Sequence, residues 1–208
     1  LVDTRDLKSL ASNGVPVQVR LRVPIINMNI KAIILDRDGT LIKHIPYLHN
    51  PSDVSLLPGV KDAFKVLFKS NIKIFIHTNQ SGINRNYFSL SDAIACNEAL
   101  FNLLDIKASD IDRVCIAPET PSEDSVYRKP SPNFGIEILK NYKIEAQQLY
   151  YVGDSICDLE TAHNLSCKAA GVNTGIKNLQ LEIKSNPSLI KFPIFNNFYD
   201  AISYVVND

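Results

Sequence analysis

A short apolar run, Ala32-Ile-Ile-Leu35, leads directly into two carboxylates one residue apart, Asp36 and Asp38, and then into Gly39 and Thr40. The run reads as a short buried strand. Gly39 is the residue type that turns a chain through positive φ without steric cost. In open α/β sheets, ligands bind just beyond the carboxyl ends of the strands, which is where Asp36 and Asp38 fall. Side chains at i and i+2 of an extended chain point the same way, so both carboxylates can face one site. Clustered carboxylates repel unless a cation, a shared proton or a strong donor offsets their charge. Mg²⁺ held by carboxylate and carbonyl oxygens would do so. A calcium loop needs an Asp or Asn at its fifth position and a late Glu. Thr40 and Tyr47 stand at the fifth and twelfth positions, which excludes that reading. A plain acidic turn is the remaining alternative, and the motifs further along weigh against it.

The pattern of strand followed by helix recurs along the chain. Pro58-Gly59 precedes Val60, Ala63, Phe64 and Leu67, whose spacing predicts a helix. Ile72 to Ile76 is a second strand, ending at His77-Thr78-Asn79-Gln80. Ser89-x-x-Asp92 resembles a capping box and opens a helix bearing Ala93, Cys96, Leu100 and Leu104. Strands are expected at Asp112 to Ile116, Leu149 to Val152 and near Cys167 to Val172. Helices are expected around Phe134, Ile138 and Leu139 and around Leu159 and Ala162, with a strand edge and a helix in the tail. Residues 117–133 carry four prolines and read as loop. Such alternation predicts an α/β fold, a mostly parallel sheet with helices on both faces. Residues 28–208 are taken as one domain. Residues 1–27 are an N-terminal extension of unknown role, within which Gln18 to Val23 alternates as a half-exposed strand would.

Lys and Arg total 22, as do Asp and Glu, so net charge is zero. That balance argues against a general nucleic-acid binder. No apolar run approaches the ~18 residues of a membrane span. The four cysteines form no C-x-x-C pair and read as reduced thiols of a cytoplasmic protein.

Three later stations complete a chemical pattern. Thr78-Asn79 follows a buried strand, so its hydroxyl and nearby backbone N–H groups can hold a phosphoryl oxygen at the edge where Asp36 lies; a plain turn is the alternative. In Arg128-Lys129-Pro130, Lys129 is a compact cation suited to neutralising a nucleophile and a phosphoryl group, and Pro130 keeps it extended. Arg128 can grip a second anion with its fork of donors; a solvated basic pair is the bland reading. Asp154 follows the strand at Leu149 to Val152, and Asp158 lies one helical turn further on the same face. An acidic residue also suits a helix start, which is the bland reading of Asp158.

Asp36-Arg37-Asp38-Gly39-Thr40-Leu41, Thr78, Lys129 and Asp154 resemble, in order, the four motifs of the haloacid dehalogenase (HAD) superfamily of phosphatases. The resemblance covers roughly residues 29–178. It implies a three-layer Rossmann-like fold with no sizeable cap domain. It also implies aspartyl-phosphate chemistry, with Asp36 attacking phosphorus and Asp38 protonating the leaving oxygen. Mg²⁺ would be held by Asp36, the carbonyl of Asp38, Asp154 and, at a lower rank, Asp158. Tyr47-Leu-His49, Leu57-Pro-Gly-Val60, Thr78 to Ile83 with Arg85, and Arg128-Lys-Pro130 resemble the small, nearly capless group of heptose-bisphosphate and histidinol phosphatases. The implied substrate is D-glycero-D-manno-heptose 1,7-bisphosphate or a similar sugar phosphate, bound through Asn79, Arg128, Arg85 and His49. Histidinol phosphate, a polynucleotide 3′-phosphate, and a non-catalytic binding role are the alternatives. A monomer without membrane or nucleic-acid partners is expected. Many members of the group bind zinc through a Cys-x-His and a Cys-x-Cys pair before Arg-Lys-Pro. Here those stretches are Ala117-Pro-Glu119 and Ser125-Val-Tyr127, so no zinc is expected.

Overall fold

The computed structural model describes residues 30–208; the alternating stretch at residues 18–23 lies outside them. Six strands form one sheet: β1 (Ala32–Leu35), β2 (Lys73–Asn79), β3 (Arg113–Ala117), β4 (Leu149–Gly153), β5 (Lys168–Val172) and β6 (Ile194–Phe195). Their order is β3-β2-β1-β4-β5-β6, and all five pairings are parallel. The helices are α1 (Val60–Lys69), α2 (Leu90–Leu104), α3 (Asn133–Tyr142), α4 (Ile156–Leu165), the single turn α5 (Leu179–Glu182) and α6 (Phe198–Asn207).

Strand alternation sorts the core into two layers. Ile33 and Leu35 of β1, with Tyr150 and Val152 of β4, pack against α1, α2 and α6. Ala32 and Ile34, with Leu149 and Tyr151, pack against α3, α4 and α5. A strand buried on both faces has no polar side to show, which is why β1 reads as an unbroken apolar run. The chain leaves β1 for β2 and β3 on one side and returns to β4 and β5 on the other. The carboxyl end of β1 is therefore a topological switch point, the place where such sheets bind ligands.

β2 runs three residues further than the apolar pattern indicates. Its pairing with β3 continues through His77↔Cys115, Thr78↔Ile116 and Asn79↔Ala117, so polar residues expected in a turn are held in the sheet. Asp112, read as the start of β3, lies just outside it and accepts the Ile74 N–H at 3.0 Å. Ser89 and Asp92 form the expected capping box of α2. The connections after β1 and β2 build no separate domain. None of the described helices is long and apolar enough to cross a membrane.

Candidate active site

Asp36 follows β1 and Asp154 follows β4, its parallel neighbour, so the two carboxylates meet at one edge of the sheet. Asp158 joins them from the first turn of α4. Ligand atoms of the three lie within 4.8 Å of one another. Gly39, at φ +83°, and Gly175 make room for Asp154: a Cβ at either would collide with its carboxylate. Buried Lys129 reaches in from the loop before α3, its Nζ 2.5 Å from Asp36 Oδ1 and 2.6 Å from Asp158 Oδ1. The second Asp158 oxygen accepts Ser155 N–H at 3.1 Å and Ser155 Oγ–H at 2.7 Å. Both oxygens of Asp158 are thus engaged, and it serves as counter-charge to Lys129 and as the cap of α4.

The carboxylates carry strong electrostatic stress. Burial pushes the Asp36 carboxyl well above the usual range; Lys129 opposes that, while Asp158 and Asp154 add to it. Asp154 is raised to about 6, by burial first and Asp158 second. Burial also works against charge on Lys129, but Asp158 and Asp36 outweigh it and hold the ammonium well above its ordinary range. Three carboxylates facing one ammonium leave two negative charges. A divalent cation balances that remainder, and hard carboxylate oxygens are the donors Mg²⁺ prefers. The cluster therefore fits Mg²⁺.

Lys129 owes its place to the odd-numbered residues of β2, which face α3. Asn79 Oδ1 accepts the Lys129 N–H at 2.9 Å. His77 Nε2–H donates to the Tyr127 carbonyl at 2.8 Å, and its Nδ1 accepts the Tyr151 hydroxyl at 2.8 Å. Burial and the nearby Lys129 charge lower His77 to about 3, so the ring is neutral. Across the loop, Glu119 Oε1 accepts the N–H groups of Val126 and Tyr127 at 3.0 and 2.8 Å. Its other oxygen is buried with no hydrogen-bond partner among the described residues.

The even-numbered residues face the opposite way and hold Asp38. Thr78 Oγ1–H and Gln80 Nε2–H reach Asp38 Oδ2 at 3.1 and 2.9 Å. Arg37, fully buried, lies against the same carboxylate.

Asp36, Asp38, Thr78, Asn79, Lys129 and Asp154 line one cavity of about 170 Å³ with His44, Ser155 and Cys157. Asp38, Asn79 and His44 also line an adjoining cavity of about 300 Å³, walled by Tyr47, Gln80 and Phe88. Three expected substrate contacts do not line either one. Arg128 Nη1–H donates to the Glu119 carbonyl at 3.1 Å. Arg85 is exposed. His49 is exposed, hydrogen-bonded to the Tyr47 carbonyl and stacked beside Phe88. His44, to which the sequence gives no role, takes the place expected of His49: the loop after Asp38 turns it inward. Arg37, Gln80, Asn97 and Glu119 were also missed. Gln80 had a signal, since it lies two residues from Thr78 in an extended segment; Asn97 had a weaker one, as a polar residue among the apolar positions of α2.

A family model described as polynucleotide kinase 3 phosphatase matches residues 31–176. The D-glycero-beta-D-manno-heptose-1,7-bisphosphate 7-phosphatase of Pseudomonas putida is 32% identical over 153 residues, 73% of this chain and 87% of that protein. The protein of the same name from Haemophilus influenzae is 35% identical over 136 residues, 62% of this chain and 74% of its own. Among solved structures, the D,D-heptose 1.7-bisphosphate phosphatase of B. bronchiseptica, complexed with magnesium and phosphate, superposes with a TM-score of 0.76 at 25% identity. The match covers 86% of this chain and 99% of that one.

Proposed function

The chain belongs to the polynucleotide kinase 3 phosphatase family of HAD-like phosphatases, and from that premise we propose that it hydrolyses a sugar phosphate monoester, D-glycero-D-manno-heptose 1,7-bisphosphate or a close analogue, through an aspartyl-phosphate. The relatives named above support the substrate class. The observation that carries the mechanism is the ion pair of Lys129 with Asp36 at the end of the central strand, beside Asp154.

Asp36 attacks phosphorus with the carboxylate oxygen turned away from Lys129. The phosphorus–oxygen bond to the sugar breaks, and Asp38 gives its proton to the departing oxygen. Water then attacks the same phosphorus, Asp38 takes a proton back, and the bond to Asp36 breaks to release phosphate. Backbone N–H groups at the ends of β1 and β2 hold phosphoryl oxygens, Thr78 gives its hydroxyl proton to Asp38, and Lys129 offsets the charge that builds on the phosphoryl group. Mg²⁺, held by Asp36, Asp154 and the carbonyl of Asp38, would supply further positive charge there. Asp158 acts through Lys129.

Asp38 lines both cavities, so the leaving group belongs in the larger one, against Tyr47 and Phe88. His44 is the one residue lining it that can carry positive charge. It is the first candidate for the second phosphate of a bisphosphate, ahead of Arg128. We place the reaction in a cytoplasmic monomer acting on small molecules. Every residue in the scheme comes from one chain, and zero net charge does not favour a polynucleotide.

The test is phosphate release from the heptose bisphosphate, histidinol phosphate and a DNA 3′-phosphate, with Mg²⁺ and after EDTA. Mg²⁺-dependent preference for the heptose is expected. Preference for either other substrate would replace the substrate while leaving the mechanism; no turnover of any would favour a binding role. His44→Ala should raise KM for the bisphosphate roughly tenfold more than for an aryl phosphate, about 1.4 kcal/mol.

A further inference from the structure

Asp38 is held by more than a general acid needs merely to be present. Its Oδ2 lies 3.0 Å from Arg37 Nε, 3.1 Å from Thr78 Oγ1 and 2.9 Å from Gln80 Nε2. Arg37 Nη2 bridges the carboxylate, 3.2 Å from Oδ1 and 2.9 Å from Oδ2. Arg37 Nη1 donates to Asn97 Oδ1 of α2 at 2.8 Å. Arg37 has no exposed surface and Asn97 is 5% exposed, so the contact between them is not shared with solvent.

Two features of this arrangement bear on the reaction. The first is an asymmetry between the oxygens. Oδ2 meets Arg37, Thr78 and Gln80 together, which fills its lone pairs, whereas Oδ1 has only the longer contact from Arg37. The proton to be transferred therefore belongs on Oδ1, and adding or removing it there leaves the donors on Oδ2 in place. The second is the anchor. A guanidinium is a rigid fork, and tying its free end to α2 fixes the plane of the carboxylate that its other edge grips. Alternation at the end of β1 sends Arg37 toward the α2 layer, while Asp36 faces Lys129 on the other.

We propose that Arg37, anchored by Asn97, is a positioning residue that aims Asp38 Oδ1 at the leaving oxygen. This rests on the reading of Asp38 as proton donor. The assay is designed so that failure of the anchor and failure of that reading look different.

Phenyl phosphate and 4-nitrophenyl phosphate have nearly the same shape, but nitrophenolate leaves without help while phenolate gains from a proton. The constant kcat/KM covers only the steps through cleavage of the bond to the leaving oxygen, so it isolates the donor role of Asp38. Arg37→Met should lower kcat/KM for phenyl phosphate at least tenfold more than for 4-nitrophenyl phosphate. Asn97→Leu, which keeps the guanidinium, should shift the ratio the same way by a smaller factor, and Asn97→Asp should restore it. In an Asp38→Asn background, Arg37→Met should change the ratio no further, because the group it aims is gone. If Arg37→Met does not fold, the Asn97 pair decides alone. Equal losses on both substrates in the folded variants would make Arg37 and Asn97 structural and overturn the proposal. No change of ratio in Asp38→Asn would remove Asp38 as donor, and the anchor with it.

Discussion

The end of β2 and the residue that follows it serve two masters. Thr78 and Gln80 point to the α2 side and hold Asp38; His77 and Asn79 point to the α3 side and hold the loop that carries Lys129. The first group is local: Asp38, Arg37 and the strand end lie within one motif or one pairing of it, and only Asn97 comes from afar. The second spans the chain. Lys129 lies 93 residues from Asp36, and Glu119, Tyr127 and Tyr151 all contribute to its placement. A step of one residue along one extended segment therefore decides whether a side chain serves the proton or the positive charge. The α2 side is set by charge at close range. The α3 side is set by hydrogen bonds to a loop backbone that has no regular structure of its own.

The largest effect should come from removing the cation that the α3 side exists to position. Lys129→Met leaves Asp36 and Asp158 buried beside each other without compensation. Stability should fall by ~3–5 kcal/mol without added metal, and turnover by roughly 10²–10³. Urea unfolding and steady-state assays would check both. A variant as stable as wild type would mean that the ion pairs are not what sets the loop.

His77 gives a smaller effect that also separates the two sides. Held at about 3 in the fold, against 6.5 unfolded, His77 binds fewer protons folded than unfolded between those values. Its contribution is complete above about pH 6.5 and is lost as pH falls through that window, by roughly 1.4 kcal/mol per unit. At pH 5 the loss is ~2 kcal/mol. His77→Gln, which can make both hydrogen bonds but does not titrate, should flatten unfolding free energy between pH 5 and 6.5 relative to wild type. An unchanged slope would assign the acid sensitivity elsewhere.

The strand-end residues were legible in the sequence; what holds Asp38 on one side and Lys129 on the other was not. Asp36, Thr78 and Asp154 could be found because each ends a buried apolar run, and a parallel sheet brings such ends together. Lys129 was found through its motif, but what fixes it was not. Glu119 reads as an ordinary acidic loop residue; only the fold shows it taking the Val126 and Tyr127 N–H groups. His44 and His49 were indistinguishable, since the turn that sends one inward has no periodicity. Asn97, 60 residues from Arg37, carries no sign of its partner. Short α5 lacks the length for a helical pattern to register.

Glu119 offers the mildest test. It joins Ala117-Pro-Glu119 to Ser125-Val-Tyr127, so its carboxylate ties the two stretches of the loop together. Glu119→Ala should cost ~1–3 kcal/mol, the scale of losing hydrogen bonds to a charged group, with a several-fold fall in kcat. Glu119→Gln keeps an acceptor oxygen and should retain most of both. Thermal unfolding would rank the three proteins, and elemental analysis should find no stoichiometric zinc. A zinc-loaded wild type would contradict this account of the loop.

The central claim is that phosphate passes through Asp36. Mixing the enzyme with substrate and Mg²⁺, quenching in acid within the first turnover and sequencing the peptides by mass spectrometry tests it directly. A phosphoryl group on Asp36, absent from Asp36→Asn, is the predicted result. Phosphate released in that first turnover with no modified Asp36, or with the group on another residue, would contradict it.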